Sequence, residues 1–284
     1  NKIVNNLYSH KPEYQIIASQ SAYNVTVSPL VNADILSLMN SSVSWYLYQK
    51  NIYKIIYEKL NNLPGNLNFD QWCKITSVED IETFFYGLFC STFPEDGNIS
   101  IDCPECGNLT QIKINASQLS QVDDIKGFKK RKDDIAKNVV TLEDVKSRTM
   151  LFQQTCYKLP ESGVVVKIKT PSLYDHLEIL RTISEDILSK NEMSTTNLLY
   201  IDSLLIPADD GYYAENGRVT ILGLIDRMSI TDAKYLRTSI QQKIEENKIS
   251  FSIKNVKCPE CGHAHERIPV SMQDILFTAI SERV

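Results

Sequence analysis

Cys103-Pro-Glu-Cys-Gly107 recurs residue for residue as Cys258-Pro-Glu-Cys-Gly262. In such a turn the two thiols converge on one side, and the glycine accepts the left-handed backbone that follows. One copy offers only two ligands, whereas a structural zinc takes four in a tetrahedron. The pattern therefore predicts one ion shared by Cys103, Cys106, Cys258 and Cys261 across roughly 150 intervening residues. The alternative is a pair of metal-free turns.

The flanks of the two copies are also alike. Asn98-Ile-Ser-Ile-Asp102 enters the first and Gln111-Ile-Lys-Ile-Asn115 leaves it, while Phe251-Ser-Ile-Lys-Asn-Val256 enters the second and Arg267-Ile-Pro-Val-Ser271 leaves it. Alternating segments on both sides of a tight turn make a β-hairpin. Two hairpins facing one metal form a zinc ribbon, here split by a long insertion. His263 and His265 lie just past the second turn and read as exposed strand residues, although either can replace a cysteine as ligand. Cys73 and Cys90 follow apolar or aromatic residues in helical contexts and read as buried reduced thiols, and Cys156 has no partner at metal spacing.

Length and composition bound the rest. The 284 residues are 43% hydrophobic, enough for one large core or two modest ones. A net charge of −5 argues against a free-standing nucleic-acid binder. Seven cysteines, four of them in the turns, suggest a reducing compartment. Asn1 to His10 hold no charged segment followed by an apolar run, and no run of 18 apolar residues occurs, so a soluble protein with no membrane partner is expected.

Working outward from the turns, the fold class is α+β: helical layers with short antiparallel hairpins and the split ribbon. An N-terminal α+β domain is expected over 1–120, ending in the first knuckle. It holds a hairpin from Tyr14 and Asn24, a helix capped by Asn32, and a helix with Trp45, Leu47, Tyr48, Ile52, Ile55, Ile56 and Leu60 on its apolar stripe. Ser77 with Asp80 looks like a capping pair for a helix burying Ile81, Phe84, Phe85, Leu88 and Phe89. Residues 121–170 read as a charged linker and a strand. The linker carries the basic run Lys126 to Lys132, read as a solvated loop, and the strand is Val164 to Thr170. Residues 171–247 read as a helical insertion with helices over Ser194 to Ile206 and Arg218 to Met228 and a loop from Pro207 to Gly217. One of its helices starts after Pro171 and carries Leu173, Leu177, Leu180, Ile183 and Ile187; another is capped by Thr231, with Tyr235, Leu236, Ile240 and Ile244 inward. Residues 248–284 hold the second knuckle hairpin and a terminal helix opened by Ser271 and Asp274.

Catalytic equipment is sparse. No phosphate-binding glycine loop, nucleophile elbow or His-Glu-x-x-His is present. His10 and His176 show no partner spacing, and His176 reads as a surface residue in an exposed first helical turn. Asp209-Asp210 before Gly211 reads as an acidic turn. No catalytic residue is assigned, and a four-thiolate zinc has no open position for water.

The order of these parts resembles the baseplate hub assembly proteins of T-even-type contractile-tailed phages. The resemblance rests on the hairpin, the Asp80-Ile-Glu-Thr-Phe-Phe-Tyr86 helix, the first knuckle with Ile112-Lys-Ile-Asn115, and the strand closing in Lys169-Thr-Pro-Ser172, and it covers about residues 14 to 180. The complete second knuckle and the long insertion depart from it. The resemblance implies a structural or assembly role in the tail baseplate of the virion, built in the host cytoplasm. It further implies hub, wedge and other tail proteins as partners in a symmetric multi-protein assembly. The main rival is a zinc-ribbon nucleic-acid-binding phage factor, for which Lys113, Lys254, Lys257 and Arg267 would supply the basic face.

Overall fold

Burial alternates along Tyr14-Gln-Ile-Ile-Ala18, with Ile16 and Ala18 inward, and this period of two builds β1 (Tyr14–Ala18) against β2 (Tyr23–Val27). The computed structural model describes residues 12–39, 44–95, 97–122, 128–136, 141–183 and 192–283. A short β3 (Leu60–Asn61) extends the sheet in the order β1-β2-β3. Around it lie α1 (Asn32–Leu38), α2 (Trp45–Glu58), α3 (Phe69–Ile75) and α4 (Ile81–Thr92). Tyr23, Tyr53, Trp72, Phe84, Phe85 and Phe89 fill the first core between them.

Local caps differ from expectation in instructive ways. Val31, rather than Asn32, caps α1, because the Asp34 carboxylate accepts from the Val31 amide at 2.7 Å. Burial on α2 begins at Ile52, so Trp45 and Leu47 remain 50% and 51% exposed. Ser77 does cap, accepting from the Glu79 amide to open a 3₁₀ turn over Val78–Asp80. Asp80 instead turns inward, fully buried, and accepts from Gln20 N at 3.2 Å, Ser21 N at 2.7 Å and Ser21 Oγ at 2.6 Å. The β1–β2 turn, Ser19 to Ala22, is thereby held inside the protein.

A second core forms on β7 (Gln154–Lys158), β8 (Val165–Lys169), β9 (Ile201–Ala208) and β10 (Gly211–Glu215), an antiparallel sheet in the order β10-β9-β8-β7. Val166, Ile168 and Leu204 on one sheet face join helices α7 (Leu173–Thr182), α8 (Glu192–Tyr200), α9 (Arg218–Ile225) and α10 (Ile230–Asn247). Two expectations are corrected here. The helix expected over Ser194 to Ile206 stops at Tyr200 and the chain continues as β9, and the expected loop from Pro207 contains β10. An apolar run carries no unambiguous period; pairing with β8 decides it, and Pro207 would break a helix but sits near the end of β9. The stretch 171–247 therefore holds half of the sheet besides its helices. The cap expected at Thr231 is Ser229, which accepts from the Asp232 amide, and Tyr235 is exposed while Leu236 and Ile240 are buried.

The charged stretch after Gln121, expected to be a solvated loop, contains α5 (Phe128–Ala136) and leads into α6 (Leu142–Arg148), each anchored by one buried aliphatic residue, Ile135 and Val145. Part of the basic run, Lys126 and Gly127, lies outside the described residues, as does Ile187.

The C-terminal segment returns to the first core. β11 (Ser250–Lys257) pairs with β12 (Ala264–Val270) on one side and β6 (Leu119–Val122) on the other, and β4 (Gly97–Asp102) pairs with β5 (Leu109–Ile114). The last helix, α11 (Met272–Ser281), is capped by Ser271 as expected and buries Met272, Ile275, Leu276, Ala279 and Ile280. Glu82 on α4 accepts from the Met272 amide at 2.5 Å, and Asn98 on β4 donates to the Glu282 carboxylate at 2.6 and 2.7 Å. Polar contacts join the two cores: Gln20 Nε2 donates to the Asn247 carbonyl at 2.8 Å, Asn247 Nδ2 to Thr170 Oγ1 at 3.2 Å, and the Tyr200 hydroxyl to Glu79.

Candidate metal centre

The two repeated pentapeptides fill the tips of the β4–β5 and β11–β12 hairpins, between Asp102↔Leu109 and Lys257↔Ala264. Their backbones fold alike. Gly107 N donates to the Cys103 carbonyl at 2.8 Å and Cys103 N to the Asn108 carbonyl at 3.1 Å; Gly262 N donates to the Cys258 carbonyl at 2.9 Å and Cys258 N to the His263 carbonyl at 2.8 Å. Each glycine has a positive φ, 68° at Gly107 and 75° at Gly262, where a side chain would be strained. Identical sequence thus gives identical local geometry.

The tips meet. The sulfurs of Cys103, Cys106, Cys258 and Cys261 all lie within 4.8 Å of one another. Cys103 Sγ is 3.7 Å from Cys261 Sγ, and Cys106 Sγ is 3.9 Å from Cys258 Sγ. Four ligands about 2.3 Å from a central ion stand about 3.8 Å apart at the corners of a tetrahedron. These contacts are far longer than a disulfide, about 2.05 Å, and all four cysteines are free. The group can hold one metal ion.

Electrostatics favour a cation there. The Cys261 amide, with the Glu260 amide, outweighs burial and pulls the Cys258 thiol down to about 7. At Cys261 the His263 amide also favours the thiolate, but local desolvation and the three neighbouring thiols push that group up to about 12. Four thiolates this close repel strongly unless a dication lies among them. Cys103 and Cys258 are each only 1% exposed, whereas Cys261 is exposed.

The other candidates fall elsewhere. His263 Nδ1 is 3.9 Å from Glu105 Oε1, and the His263 ring packs edge-on against His265 at 4.9 Å; neither belongs to the four-sulfur group. Cys73 and Cys90 are buried, with thiols pushed up to about 12 by burial, and Cys156 is exposed on β7. His176 corrects its surface assignment: it is partly buried, with Nδ1 2.7 Å from Tyr53 Oη, and burial draws its imidazole down to about 4. Asp209 and Asp210 form the two-residue turn between β9 and β10. Lys254 stands opposite Arg267 across β11 and β12, Lys257 is exposed beside the second tip, and Lys113 lies on the other hairpin. His10 lies outside the described residues. Buried Asp80 and the half-buried Glu79 and Glu82 anchor distant segments, and nothing in their spacing distinguishes them from solvated acids of a helical first turn.

A family model described as "T4 bacteriophage base plate protein" matches residues 12–276, nearly the whole chain and both knuckles. The chain belongs to that family. No curated protein and no solved structure matches it. As a baseplate protein it is a structural component of the phage tail that associates with other baseplate proteins. Among the described residues of this baseplate protein, no helix is long and apolar enough to cross a membrane.

Proposed function

We propose that this baseplate protein is a non-enzymatic scaffold of the hub region whose fold is locked by one structural Zn²⁺ on Cys103, Cys106, Cys258 and Cys261. The reading rests on four sulfurs from two hairpins that all lie within 4.8 Å of one another, two pairs of them at 3.7 and 3.9 Å, near the edge length of a zinc–thiolate tetrahedron. Thiolates suit zinc, and four of them complete its shell, so the ion orders structure and has no open site for substrate. The two hairpins then act as the halves of a split zinc ribbon that ties the C-terminal segment to the first core. Binding at such a site contributes on the order of 10 kcal/mol to folding. The surfaces so fixed engage neighbouring hub and wedge proteins.

Mass spectrometry of purified virions, produced with the wild-type chain and with Cys258→Ser, tests this reading. The wild-type chain should appear at a defined copy number and the variant should be depleted from particles. Absence from wild-type virions would contradict a structural place in the tail. Salt-sensitive binding of labelled duplex or single-stranded nucleic acid would favour the rival reading based on Lys254, Lys257 and Arg267.

A further inference from the structure

The second-core sheet ends on β7 at one side and β10 at the other, and among the described residues neither outer edge is paired. An unpaired edge presents a row of backbone N–H and C=O groups that can template another strand. Both edge strands are five residues long. All pairings in the sheet are antiparallel, so β7 and β10 run in opposite senses. The β10 edge of one molecule can therefore continue antiparallel onto the β7 edge of another.

Side chains fix the register. Paired neighbours in a sheet share a face. Tyr157 pairs with buried Val166, and Tyr213 with Ile206, which packs on the second core, so both tyrosines face the helices. Cys156, Lys158, Tyr212 and Ala214 face the other way. Setting Tyr213 opposite Tyr157 keeps both faces continuous. It also puts Tyr212 opposite Lys158 and Ala214 opposite Cys156. Tyr212 and Tyr213 are 52% and 60% exposed, an unusual state for adjacent aromatic residues.

We propose that these edges bind a second copy of this chain, head to tail, by antiparallel pairing of β10 with the partner copy's β7. The contact is heterologous, so repetition gives a ring or an open chain of subunits. It is independent of the zinc reading, because neither strand reaches the cysteine tips.

Ala214→Cys tests the register directly, since it faces the partner copy's Cys156 in this arrangement. Under mild oxidation with diamide, which takes up the two electrons and two protons released as the disulfide forms, the variant should give covalent dimers and higher species. Adding Cys156→Ser to it should abolish them. Sedimentation velocity of the unmodified wild-type protein should show self-association. A wild-type chain that stays monomeric at every concentration, or cross-links that survive Cys156→Ser, would overturn the proposal.

Discussion

Cys103 and Cys261 are 158 residues apart in sequence, and their sulfurs are 3.7 Å apart. Only the folded chain brings them together, so affinity for a metal at this site is folding free energy. Chelation of zinc should lower the melting temperature, and Cys103→Ser and Cys258→Ser should each lower it similarly. The double variant should add little, because either substitution already breaks the shared site. Differential scanning calorimetry with and without chelator provides the measurement. In hydrogen exchange, the hairpin tips should lose protection before α11, which is held separately by burial and by Glu82.

Asp80 organises the centre of the first core. Its carboxylate satisfies two backbone amides and the Ser21 hydroxyl in a fully buried turn. Asp80→Ala would strand those donors, and a loss of about 3–5 kcal/mol is expected by urea denaturation. Ser21→Ala leaves the Gln20 and Ser21 amides on Asp80 and strands only the Ser77 amide, which donates to Ser21 Oγ at 2.8 Å, so it should cost less.

Glu79 gives a pH dependence of one sign. Burial, with Asp80 beside it, raises its carboxyl from 4.5 to about 7. Between those values the folded chain holds a proton that the unfolded chain has released, so this contribution is full below pH 4.5 and is lost as pH rises through 7. Glu79→Gln removes the ionisation, so its stability relative to wild type should rise between pH 5 and pH 8, on the order of 3 kcal/mol at most. A difference independent of pH would assign the proton elsewhere.

His176 acts in the opposite direction. Burial lowers its imidazole from 6.5 to about 4, so the unfolded chain binds the extra proton in that window. Stability from this group is complete above pH 6.5 and falls as the solution is acidified toward 4. His176→Gln should flatten that acid limb in thermal melts taken from pH 4 to 7.

The two cysteine turns were the most legible part of the sequence, because a Cys-Pro-Glu-Cys-Gly turn is defined by its own five residues and Gly107 and Gly262 need no distant contact to take a positive φ. The first hairpin and the faces of α4 and α11 were legible for a similar reason, since their periods are local. What failed depended on distant partners. Leu198 to Ile206, apolar except for Asp202 and Ser203, fits either period, and pairing with β8 and β10 makes Ile201 onward a strand. His176 read as exposed and Asp80 as part of a helix cap because the residues that bury them, Tyr53 and the Ser19–Ala22 turn, come from elsewhere in the chain.

X-ray absorption at the zinc edge, with metal content per chain from the same sample, reads the shell around the four cysteines itself. One zinc per chain with four sulfur neighbours at about 2.3 Å is expected. A metal-free protein with an unchanged melt, or a zinc shell containing nitrogen or water in place of sulfur, would contradict it.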